Sequence, residues 1–161
     1  MARTSITVTG AQGLARLGRA LKDQGRADLR RDLLRGVRKA SKPMVPAARA
    51  AALEWLPHGG GLAADVSGAR WGVRTRLQGR GAGVRITGAW TSEGRKHDLN
   101  AMDSGVLRHP VWGHKELGRK WVAQEIHAGW FSDAMNNLAP EVRQELLQVI
   151  DEIARRLKDK V

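Results

Sequence analysis

Gly105-Val106-Leu107-Arg108-His109-Pro110-Val111-Trp112-Gly113, followed by Trp121-Val122-Ala123-Gln124 and Gly129-Trp130-Phe131, is the stretch whose reading decides the fold. Three of the six tryptophans and the only phenylalanine fall between Trp112 and Phe131. Proline biases His109 away from helix and Gly113 begins a turn, so residues 107–113 read as extended. Trp121 to Ile126 reads as a further strand. Ser132 is placed as the N-cap of a long helix, with Asp133 as a favourable charge in its first turn. Met135, Leu138, Val142, Leu146, Val149, Ile153 and Leu157 form the apolar stripe of that helix, and Pro140 is expected to kink it. An aromatic cluster between a strand region and a long helix is either a central packing joint or a docking surface.

Upstream, Thr4 to Thr9 alternates β-branched residues and reads as a short strand, and Leu14, Leu17 and Leu21 recur at helical spacing. From Arg26 to Trp55 an apolar stripe (Leu29, Leu33, Val37, Ala40, Met44, Ala48, Ala51, Trp55) predicts a helix of about 30 residues, roughly 45 Å long. Pro43 and Pro46 predict a kink or break near residues 41–46. The opposite face is basic, with Arg35 and Arg38 at its centre, and reads either as a solvated face or as an electropositive surface for DNA or an acidic subunit.

Leu56-Pro57-His58-Gly59-Gly60-Gly61 ends the helix and is expected to begin a mobile loop over 57–67. Arg70 to Leu77 alternates Trp71, Val73, Thr75 and Leu77 with Arg70, Gly72, Arg74 and Arg76. After a glycine-rich turn, Val84-Arg85-Ile86-Thr87 completes a hairpin with one apolar and one basic side. Residues 88–104, which include Trp90, show no period and are expected to form a second mobile loop.

The composition narrows the classes of function. The 161 residues suit one domain spanning 1–161; 42% are hydrophobic and 27% charged, as in an ordinary folded protein. There is no cysteine, which removes disulfides, thiolate metal sites and a cysteine nucleophile. No apolar run approaches about 18 residues and no signal pattern opens the chain, so neither a membrane span nor secretion is expected. A net charge of +12 favours contact with nucleic acid, an anionic surface or an acidic partner. His109 and His114, taken with Asp103, Glu116 or His127, match no metal-ligand spacing, and neither Ser104 nor Ser132 sits in a nucleophile-elbow context. No enzyme activity, metal or cofactor is expected.

The aromatic block, the long amphipathic helix after it and the basic, alanine-rich helix ahead of a hairpin together resemble the neck or tail-completion (head-tail connector) proteins of long-tailed double-stranded DNA phages. The group is the tail-component family typified by the tenth gene product of a lambda-like siphophage, and the resemblance runs from about residue 20 onward. One departure is Gly59-Gly60-Gly61-Leu62-Ala63-Ala64-Asp65-Val66, where many members carry a Thr-Gly-Xaa-Leu-like motif. The resemblance implies an α+β subunit with long N-terminal and C-terminal helices packed on a small antiparallel β-sheet. It also implies a homo-oligomeric ring, a hexamer being favoured, in the virion neck between capsid and tail, made in the host cytoplasm. Its partners would be head-completion, tail terminator or tail tube proteins and, transiently, double-stranded DNA. On this reading Trp112, Trp121, Trp130, Phe131 and Trp90 are interface candidates, while Arg70, Arg74, Arg76, Arg85, Arg35 and Arg38 are candidates for contact with DNA or an acidic partner. The second reading is a free basic nucleic-acid-binding protein.

Overall fold

A computed structural model describes residues 7–8, 11–77, 83–89, 91–92, 95–96, 99–110 and 121–159. The elements run β1 (Thr7–Val8), α1 (Ala11–Asp23), α2 (Ala27–Ala40), α3 (Met44–Trp55), a turn of 3-10 helix (Gly59–Gly61), α4 (Leu62–Ser67), β2 (Arg70–Arg76) and β3 (Gly83–Ala89). They continue with β4 (Thr91–Ser92), β5 (Arg95–Lys96), α5 (Leu99–Asp103), β6 (Val106–Pro110), β7 (Trp121–Glu125) and α6 (Trp130–Lys158). The fold is α+β.

The expected helix over residues 26–55 is two helices, broken at Ser41–Pro43. Pro43 is the N-cap of α3 and Pro46 falls in its first turn, where a missing N–H removes no helical bond. Ser41 is fully buried at the break and is satisfied by donating its hydroxyl to the Val37 carbonyl at 2.8 Å. The stripe is buried from Leu29 through Ala51, but Trp55 departs from it: it is 46% exposed and stacks on His127 with ring centres 4.2 Å apart.

The strands do not make one sheet. β1, β3 and β2 form a three-stranded antiparallel sheet in that order, while β4–β5 and β6–β7 are separate two-stranded ribbons. The stretch around Leu107 therefore pairs with β7 and not with the main sheet. α1 packs on β3, and α2 and α3 pack on β2, which covers the face carrying Trp71, Ile86 and Val84. α6 lies along α2 and α3.

The two expected loops hold regular structure. Within 57–67 lie the 3-10 turn and α4, which buries Ala63 and Val66; within 88–104 lie the β4–β5 pair and α5, which buries Leu99 and Met102. Both helices are short, so their apolar residues are too few for a sequence period to register.

The start of α6 also differs from expectation. Gly129 is its N-cap, with φ +79°, a left-handed conformation that L side chains rarely adopt, and Ser132 lies inside the first turn. The cap comes from outside the helix. Asp103 Oδ1 accepts the backbone N–H of Phe131 at 2.8 Å and of Ser132 at 3.1 Å, and the Ser132 hydroxyl donates to Asp103 Oδ2. The carboxylate thus supplies the negative charge that a helix N-terminus favours.

Two stability measurements follow. Asp103→Ala is expected to cost about 1–2 kcal/mol in chemical denaturation, with Asp103→Asn recovering part by keeping the Oδ1 acceptor; equal losses would mean that the N–H contacts contribute nothing. A Cβ at Gly88 would stand 2.5 Å from Cζ3 of Trp71 and 2.9 Å from Cδ1 of Leu99. Gly88→Ala should therefore lower stability by about 1–3 kcal/mol, and an unchanged midpoint would show that the indole shifts freely.

Candidate nucleic-acid interface

The face of the main sheet turned away from the helices is set by the register of β2 on β3. Arg70 pairs with Ala89, Gly72 with Thr87, Arg74 with Arg85 and Arg76 with Gly83. Alternation along a strand sends these residues to one side, and Trp71, Val73, Thr75, Ile86 and Val84 to the other. Trp71, Val84 and Ile86 are buried, whereas Arg70, Arg74, Arg76 and Arg85 are all exposed. Four of the expected contact residues thus share one surface.

Arg74 and Arg85 stand directly opposite each other across the ladder. Such neighbours approach to about 4.5–5.5 Å between Cβ atoms, and like charges in that relation are destabilising. The ion pairs of the described residues are Arg26–Asp28, Arg35–Asp32, Arg155–Glu152 and Arg156–Asp32, none of which involves this face. The surface is therefore of one sign among the described residues.

Arg35 and Arg38 belong elsewhere. They sit on the exposed side of α2, in the helical layer that covers the opposite face of the sheet. Arg35 also bonds Asp32 at 3.3 Å, an exposed pair of small energetic value. Asp32 in turn accepts from Arg156 of α6 at 2.9 Å. This pair borders a groove of about 460 Å³ between α2 and α6, which also carries Lys39, Glu145 and Glu152. Its charges are mixed, so it offers no field of one sign.

The aromatic candidates separate. Trp130 is 1% exposed and Phe131 0%, which places both in the core, where no partner subunit can reach them. Their rings meet Trp71: Phe131 stacks on it at 5.4 Å, and Trp130 meets it edge-on at 6.4 Å. Trp90 and Trp112 lie outside the described residues, and of Trp121 only the strand backbone is described. On the β6–β7 ribbon that carries Trp121, Val106 is 38% and Val122 42% exposed on opposite faces of the pairing, while Leu107, on the Val122 face, packs against the core.

Of the residues weighed for metal or acid–base chemistry, Asp103, His127, Ser104 and Ser132 have structural partners, and of His109 only the strand backbone is described. Asp103 is occupied by the N-terminus of α6 and His127 by the ring of Trp55, while Ser104 donates to the Ala101 carbonyl at 2.7 Å. His114 and Glu116 lie outside the described residues. Among the described residues no three His, Asp or Glu side chains come together as a metal site, and no described helix is long and apolar enough to cross a membrane.

The direct opposition of Arg74 and Arg85 is the feature that the sequence did not disclose, because it depends on the turn between the strands. No family model matches the chain, and neither a curated protein nor a solved structure matches it.

Proposed function

We propose that the chain is a structural subunit of the neck of a long-tailed double-stranded DNA phage, assembling as a ring, favoured as a hexamer, that joins the capsid connector to the tail around the DNA passage. The observation that carries this reading is the arginine face on the sheet, which has no carboxylate paired to it among the described residues and lies opposite the layer of helices. A subunit that lies beside a polyanion and is held by neighbouring protein needs those two sides to differ, and here they do. The aromatic block and the α+β architecture support it through the resemblance they carry. The β6–β7 ribbon adds apolar residues exposed on both faces, as expected of an arm that becomes buried in an assembly. The role is mechanical and assigns no bond made or broken. Its neighbours would be head-completion, tail terminator or tail tube proteins, and its place the virion.

The arginine face alone would equally suit a free nucleic-acid-binding protein, so the two readings part on location. Quantitative mass spectrometry of purified virions should find the chain at a fixed ring stoichiometry, and its loss should leave filled heads and finished tails unjoined. A chain absent from virions whose loss leaves joining intact would favour the free protein. Val122→Asp, placed on the exposed ribbon, should leave the melting temperature of the isolated subunit unchanged while reducing joining about tenfold or more, as removal of a central contact worth at least about 1.4 kcal/mol does.

A further inference from the structure

We infer that the outer face of the β2–β3 hairpin binds the phosphate backbone of double-stranded DNA without reading its sequence. Naming DNA as the occupant rests on the proposed place around the DNA passage; the binding mode rests on the face itself.

Arg74 and Arg85 oppose each other across the ladder with no carboxylate paired to either among the described residues. A bound anion converts that repulsion into two charge-assisted contacts, and the guanidinium fork suits phosphate oxygens in pairs. The arrangement also repeats. Arg74 and Arg76 are two residues apart on one strand, which sets them about 6.6–6.8 Å apart, and Arg70 extends the row to about 20 Å. A row of that length fits a polyanion better than a single ion.

What lies between the arginines decides the kind of polyanion. The other positions of the ladder on this face are Gly72, Gly83, Thr87 and Ala89. The Thr87 hydroxyl is turned to the Gly72 carbonyl of the neighbouring strand at 3.4 Å. Among these described positions there is no long amide or carboxylate side chain to read base edges in a groove and no aromatic ring to stack unpaired bases. A flat face on which, among the described residues of the hairpin, only arginines stand out makes phosphate contacts, which position a duplex but carry no sequence information.

The test is fluorescence anisotropy with labelled duplexes of unrelated sequence, across a salt series, on the full chain. Four phosphate contacts should give a slope of log K against log salt of about −3.6, so that affinity falls about 150-fold between 50 and 200 mM. Arg74→Gln with Arg85→Gln should bring the slope to about −1.8 and that fall to about 12-fold, with affinities for the different sequences staying within threefold of each other. The melting temperature of the double variant should match or exceed that of the parent, because a like-charged pair has gone. An undiminished slope in the double variant, or its loss only on Arg35→Gln with Arg38→Gln, would overturn the inference and move binding to α2. Poly-L-glutamate bound as tightly as duplex at equal salt would overturn it in favour of an acidic protein partner. Absence of the chain from virions would count against the neck role and leave these slopes standing, so the two failures are separable.

Discussion

Stacking of Phe131 on Trp71, with ring centres 5.4 Å apart, is the contact on which the remaining packing depends. It joins the first turn of α6 to β2, the strand against which α2 and α3 also lie. The Trp71 indole N–H donates to the Val66 carbonyl at 3.1 Å, which ties α4 to the same ring. Gly88 on β3 lies against another of its edges. Four elements, its own strand included, therefore meet at one side chain, and loss of a ring of this size from a core removes about 3–5 kcal/mol. Trp130 contributes area to the cluster, although its ring N–H is buried without a partner among the described residues, a polar cost that the buried indole surface must outweigh.

Once the cluster holds the start of α6, the direction of its 29 residues is the next constraint. Asp103 sets that direction at the N-terminus by holding two successive backbone N–H groups, and the Gly129 N–H closes the same joint on the Asp103 carbonyl at 2.6 Å. Further along, a Cβ at Gly36 of α2 would lie 2.5 Å from Val149 Cγ1, so a bare backbone at that crossing is what lets the helices come together. The Asp32–Arg156 pair near the far end is about a third exposed on each side and adds little. Register between α2 and α6 thus comes from shape, with Met135, Val142, Leu146 and Ile153 as the buried row. That row runs on past Pro140, where the helix lacks one internal N–H yet continues.

Much of this was legible from local pattern. The break between α2 and α3, the hairpin with its two unlike faces and the stripe of α6 follow from proline chemistry and from periods of two and 3.6. What escaped was set by partners distant in the chain. Ser132 carries the residue type of an N-cap, but an aspartate 29 positions earlier takes that place, and the serine becomes one of its donors. Trp130 and Phe131 read equally as joint or docking surface, because the ring that receives them, Trp71, lies far earlier in the chain. The four arginines were visible as a basic side of a hairpin, while the facing of Arg74 on Arg85 needed the register. Arg35 and Arg38, on a separate basic helix face, stood beside them as candidates for the same contact, because charge along a sequence carries no information about layers.

The arginine face illustrates why a fold can carry a feature that opposes it. A repulsive pair on an exposed strand costs no more than about 1 kcal/mol and is screened within about 8–10 Å at physiological salt. The cluster around Trp71, on the buried side of the same strand, is worth several times that. Alternation separates the two sets of residues so completely that arginines can accumulate on one side without disturbing the packing on the other. A helix of similar length spreads side chains around its axis, and α2 accordingly mixes its cations with Asp28 and Asp32. The strand is thus the element on which a surface of one sign is cheapest to maintain. On β2 and β3 the four arginines accordingly share one face with no carboxylate paired to them among the described residues, whereas on α2 Asp32 stands among the cations and pairs with Arg35.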